Sequence, residues 1–122
     1  LQRARGARGC FDPTLLGQAL MARFDVHRLE FPTPAPLVVD VQADLLSSLA
    51  TRVVIPLAPY NAARPEALQR LNPVLNLSGE RFLLLTADLS VVAASEVSDP
   101  MGNLEDQRNL IIDAIDFLLQ GF

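Results

Sequence analysis

The chain has 122 residues, half of them hydrophobic, with 14 acidic against 10 basic side chains and a formal net charge of −4. That is enough for one domain with a sizeable core and too little for two comfortable ones. The acidic balance excludes an affinity built on neutralising phosphates, so no direct nucleic-acid ligand is expected, and no apolar run approaches the roughly 18 residues that a membrane-spanning helix needs.

The basic residues are all arginines, and Arg3, Arg5 and Arg8 crowd the first ten positions. Such a cluster can open a signal or transit peptide, but the following "FDPTLLGQAL" lacks an apolar stretch of roughly 7–15 residues. Residues 1–20 are therefore expected to be an extension, non-native or flexible, ahead of a domain that starts at Met21 and spans 21–122. Cys10, the only cysteine, lies in that extension; it permits no internal disulfide and needs a thiolate-stabilising site to be reactive.

From Met21 onward the pattern is regular. "ARFDVHRL" alternates at Phe24 and Val26 as a half-buried strand does. "EFPTPAP" is a proline-rich loop. "LVVDVQADLL" alternates Leu37, Val39 and Val41 against Val38, Asp40 and Gln42, which predicts a second strand with Asp40 on a solvated face. "TRVVIPLA" is a third strand, and Pro56 places it at an edge or a bulge. "PYNAARPEALQRLNP" is a loop with one helical turn at "PEALQRL". "VLNLSGERFLLLTADL" is a hairpin turning at Ser78-Gly79, and "SVVAASEV" is another strand. The period then changes. Asn103 can cap a helix whose first turn holds Glu105 and Asp106. Leu104, Leu110, Ile111, Ala114, Ile115, Phe117 and Leu118 follow helical spacing, and Gly121 serves as its C-terminal stop. Strands first and a helix last give an α+β fold: a small antiparallel sheet or partly closed barrel with a C-terminal α-helix.

Chemistry has few candidates. His27 is the only histidine, and its predicted strand makes it an outward-facing polar residue and not a triad member. One histidine and one cysteine make no zinc set, and phosphate-binding glycine motifs are absent. Asp40 with Asp44 could act as an acid/base pair, against the simpler reading of a solvated face. Asp113 and Asp116 neighbour each other on one helical turn. No catalytic residue, metal or cofactor is expected. The remaining feature is the tail, where Leu118, Leu119, Gly121 and Phe122 concentrate apolar area. Phe122 either folds back as a plug or protrudes as an anchor into a partner, and aromatic anchors dominate interfaces.

Three stretches, "LVVDVQADLLSSLATRVVIPLA", "LNPVLNLSGERFLLLTADLS" and "NLIIDAIDFLLQGF", resemble CcdB-type toxins over roughly residues 22–122. The resemblance implies an SH3-like barrel with a C-terminal helix, a cytoplasmic homodimer, and a non-enzymatic poison. That poison binds the A subunit of DNA gyrase, traps its cleaved-DNA complex, and is neutralised by a CcdA-type antitoxin that also joins it to DNA. The family's terminal aromatic-Gly-aliphatic triplet aligns with Gln120, Gly121 and Phe122. Leu119 aligns with a family aromatic, Asp116 with a family Asn, and Leu45 and Leu46 with apolar positions after "VDVQ-x-D". Gln120 stands where the best-known pattern has Trp. Two alternatives stay open: the same fold binding an antitoxin or another partner without poisoning gyrase, and an mRNA endoribonuclease using Arg23, Arg28, Arg52 and Asp40.

Overall fold

The computed structural model of the protein describes residues 22–46, 48–60 and 69–121. The N-terminal extension with Cys10 and Met21, most of the expected turn at Pro65–Leu71, and Phe122 lie outside these residues. The described elements are β1 (Asp25–Arg28), β2 (Leu37–Asp40), β3 (Thr51–Pro59), β4 (Val74–Leu77), β5 (Glu80–Leu84), β6 (Ser90–Ala93), β7 (Gly102–Asn103) and the helix α1 (Arg108–Gln120). They form one seven-stranded antiparallel sheet in the order β4-β5-β3-β2-β1-β7, with β6 also paired to β3.

Strand β3 is the spine. One edge carries β2, with Leu37 opposite Leu57 and Asp40 opposite Val54. The other edge is divided between β6, opposite Thr51–Val54, and β5, opposite Leu57–Pro59. The segment after β6 then runs back along the outer edge of β1. Ser98 N–H donates to Arg28 O at 2.8 Å, Met101 N–H to Val26 O at 2.8 Å and Leu104 N–H to Phe24 O at 2.8 Å. The sheet is thereby rolled into a nearly closed barrel, the partly closed form expected from the pattern, and little free edge is left to aggregate.

Pro56 does not mark an edge strand: β3 is central, and Pro56 sits opposite Val38. Its carbonyl accepts from Leu85 N–H at 3.0 Å, so its missing N–H faces the gap where β5 has ended and β6 has not begun. A proline there forfeits no ladder bond. The β4–β5 hairpin turns as expected, with Ser78 at φ 53° and Gly79 at φ 84°, the doubly positive geometry of a tight hairpin.

Because side chains alternate along a strand, register assigns the two faces. Val26, Val39, Ile55, Leu57, Leu75 and Leu84 share one face, and α1 covers it with Ile111 and Ala114. His27, Val38, Asp40, Arg52 and Val54 share the other, and all are at most 1% exposed. Asp40 is therefore not on a solvated face and His27 does not point outward. Curling encloses the second face, a constraint that alternation alone does not reveal.

These buried polar groups are largely partnered. Arg52 Nε–H donates to Asp40 Oδ2 at 2.7 Å, and Arg52 Nη2 lies 2.6 Å from the same oxygen. Gln42 N–H donates to Asp40 Oδ1 at 2.9 Å, and His27 Nδ1–H to Ser98 O at 2.8 Å. Burial pushes the Asp40 carboxyl above its ordinary range, opposed by the Arg52 charge and the Gln42 hydrogen bond.

The helix starts later than expected. Asn103 Oδ1 accepts from Glu105 N–H at 2.7 Å, but it caps a 3-10 turn, Glu105–Gln107, and the α-helix begins at Arg108. The delay has a cause in Gln107, whose amide donates to Asn76 O at 2.7 Å and accepts from Asn76 N–H at 2.8 Å. Tied to the edge of β4, residue 107 keeps a non-helical backbone at φ −117°. Within α1 only Ile111 and Ala114 are fully buried; Leu110 and Leu118, expected on the apolar stripe, are 48% and 36% exposed. No described helix is long and apolar enough to cross a membrane.

Arg52→Met is expected to cost about 3–5 kcal/mol at neutral pH, because it strands a buried carboxylate. A raised carboxyl contributes stability below its unfolded pKa and loses it as pH rises through the folded one. The variant's deficit should therefore shrink as pH falls and Asp40 is protonated. Denaturant unfolding from about pH 7 to pH 4 checks this, and a deficit independent of pH would contradict it.

Candidate partner-binding site

The tail residues occupy the last turn of α1. The helix ends on Gly121, which adopts φ 78° and donates its N–H to Phe117 O at 2.8 Å. This left-handed stop is the one expected from the sequence. It leaves Asp116, Gln120 and Gly121 exposed and Leu119 74% exposed. Beyond Ala114 the helix has no fully buried side chain among the described residues, so its final turn is presented to solvent. Phe122, the proposed anchor, lies outside the described residues.

A second exposed apolar group follows β2. Asp44–Leu46 forms a 3-10 turn on which Leu45 is 90% and Leu46 47% exposed, with Leu49 nearby in sequence at 48%. An exposed leucine is ordinary by itself; here the backbone is fastened so that it stays out. Gln42 is the fastener: its Nε2–H donates to Leu46 O at 2.8 Å, and its Oε1 accepts from Val53 N–H at 3.2 Å. Asp44 Oδ1 accepts from Arg23 N–H at 2.7 Å. In the stretch "VDVQAD", then, Asp40 meets the buried arginine, Gln42 holds the turn, and Asp44 ties it to the N-terminal side of β1. Asp40 and Asp44 do not face one cleft: the first is sealed inside and the second is on the surface.

The structure thus brings Asp116, Leu119, Gln120 and Gly121 together on one helical turn and places Leu45 and Leu46 on a separate turn. Among the described residues no hydrogen bond or ion pair joins the two. The residues an RNA-cleaving site would need are dispersed: Asp40 and Arg52 are buried against each other, while Arg28 is on the surface. Among the described residues no group of acidic, histidine or cysteine side chains has the arrangement to hold a metal ion.

Two supports escaped the sequence reading. Gln42 looked like one more polar position of an alternating strand. Arg70 fell in a loop, yet its Nε–H donates to Asp113 Oδ2 at 3.1 Å and its Nη2–H to Asp113 Oδ1 at 3.2 Å. Its guanidinium also lies 4.9 Å from the centroid of the Phe117 ring. Only the pairing of Asp113 with Asp116 on one helical turn hinted that this face has a neighbour.

A family model described as CcdB protein matches residues 23–121.

Gly121→Ala adds a Cβ that meets nothing within 4 Å, so its penalty is purely that of a positive φ, about 1–2 kcal/mol. The expected result is faster amide exchange confined to Leu118–Gly121, with the global melting temperature nearly unchanged; Gly121→Asn should be milder, since Asn tolerates this conformation. Exchange that stays at the wild-type rate in Gly121→Ala would contradict this account of the stop.

Proposed function

Since the chain belongs to the CcdB family of toxin–antitoxin toxins, we propose that it binds the A subunit of DNA gyrase and traps the enzyme's covalent complex with cleaved DNA. The reading is carried by the exposed last turn of α1. A helix end that stays apolar, is stopped by a left-handed glycine and is left uncovered by its own domain is a surface built for a partner. Leu119, Gln120, Gly121 and Phe122 form the contacting tail, with Asp116 beside them and Leu45 and Leu46 as a flanking apolar patch. The poison works as a homodimer, whose twofold suits a symmetric target. No bond in a substrate is made or broken by the toxin; its effect is to hold an intermediate that gyrase itself forms. A cognate CcdA-type antitoxin neutralises it with a disordered arm that folds on binding. Contact with DNA is left to that antitoxin, in keeping with the net charge of −4.

Gln120 supports a second reading. A tryptophan at this position would bury far more apolar surface, and losing one interface hot spot commonly costs about 2 kcal/mol or more. A chain with Gln120 could therefore retain antitoxin binding while its hold on gyrase is weakened, unless Phe122 compensates as the anchor.

The two separate in a supercoiled-plasmid cleavage assay with cognate gyrase and ATP, resolved after detergent and protease. Linear DNA is expected with the full chain and none with a deletion of Gly121-Phe122 that remains folded. Linear DNA that persists after the deletion would overturn the tail as the site. No linear DNA with the folded, dimeric full chain would favour partner binding without poisoning, and Gln120→Trp should then restore cleavage.

A further inference from the structure

We propose that Arg70 is a positioning residue for the C-terminal tail, bracing the last turn of α1 against the barrel; its functional consequence rests on the gyrase reading above. The need for a brace follows from packing. Ala114 is the last fully buried side chain of the helix, and a helix end without packing or capping frays. The tail nevertheless has to be presented in one geometry, because ordering it at the moment of binding subtracts from affinity.

Arg70 supplies that order from outside the helix. It holds Asp113 through two hydrogen bonds at 3.1 and 3.2 Å and stacks 4.9 Å from the Phe117 ring centroid. Asp113 and Phe117 are one turn apart on the same helical face, so one planar guanidinium grips two successive turns, as a lysine could not. Phe117 is also the residue whose carbonyl receives the Gly121 N–H. Fixing Phe117 therefore fixes the acceptor on which the terminal stop closes.

The brace is anchored at its other end. Leu71 O accepts from the hydroxyl of Thr86 at 2.6 Å, and Thr86 is fully buried. Asn72 Nδ2–H donates to Leu84 O at 2.9 Å, and Leu84 N–H donates to Pro73 O at 3.1 Å. Force on the tail is thus carried through Phe117 and Arg70 to residues 71–73, and from there into the barrel at Leu84 and Thr86. Both charged partners are about half exposed, at 46% and 51%, so the brace is worth little in global stability and acts locally.

The test compares the full-length wild type with Arg70→Met, which keeps an unbranched apolar stem, and with the charge-swapped double variant Arg70→Asp/Asp113→Arg. Amide exchange at Leu118–Gly121, the melting temperature and the half-maximal concentration in the gyrase cleavage assay are measured together. Arg70→Met should speed exchange at those amides about three- to tenfold, the range of one exposed ion pair plus one cation–π contact, and raise the half-maximal concentration by a similar factor. Its melting temperature should move little, and the swap should recover part of the exchange protection. Salt near 1 M should bring wild-type exchange towards that of the variant, because screening then acts within about 3 Å. Exchange unchanged in Arg70→Met overturns the brace. Faster exchange with unaltered potency overturns its positioning role. If wild type itself yields no linear DNA, the gyrase reading fails, and the exchange measurement alone decides whether Arg70 orders the tail.

Discussion

The contact between Asp40 on β2 and Arg52 on β3 constrains everything around it. Two opposite charges at most 1% exposed are tolerable only in their mutual geometry, since either alone would cost several kcal/mol. Side chains alternate with a period of two, so a one-residue slip of β2 against β3 would send Asp40 to the other face and strand Arg52. The pair therefore penalises every register but one along the spine of the sheet. Its net contribution to stability is small, because burial works against the carboxylate even as Arg52 favours it. Its contribution to uniqueness is large, because the misregistered sheets carry a buried unpaired charge.

Register at β3 then sets the rest. With β2 fixed on one edge, the other edge is free to take β5 and β6 end to end, and the break between them falls at a proline with no donor to lose. The run after β6 can only continue along β1, which closes the barrel and buries the face bearing His27. Gln42, two residues past Asp40, is fixed by the same strand and holds the Leu45 turn outward. On the opposite face the barrel offers Ile55, Leu57 and Leu84 to Ile111 and Ala114, which seats the helix. The tail thus inherits its position from a core that is far from it in sequence, and function is confined to the parts the core leaves uncovered.

Much of this was readable in the residues because the signals were local. A helical period with Gly121 at its end, a Ser-Gly turn between apolar runs and a strand-then-helix order each follow from neighbours within a few positions. The failures share a different cause. Asp40 and His27 read as solvated because alternation reports that a strand has two faces and not whether both are covered. Pro56 read as an edge because a missing N–H is harmful only where a partner strand awaits it, and that depends on where β5 and β6 stop. The helix start was misplaced because Gln107 is held by Asn76 on a different strand. Arg70 was invisible for the same reason: its partners lie on a helix 43 residues away. Of the tail, the exposure of Leu119 and the left-handed Gly121 agree with the sequence pattern, whereas the Arg70 support needed coordinates.

The account's central claim is that partner contact is made by the uncovered end of α1 and by the turn that Gln42 holds out. The most direct measurement is residue-resolved amide exchange of the full chain alone and with the gyrase A subunit. New protection is predicted at Leu118–Gly121 and at Leu45–Leu46, with β1, β2 and β3 unchanged. Binding that protects other surfaces and leaves the end of α1 at its free rate would contradict the account.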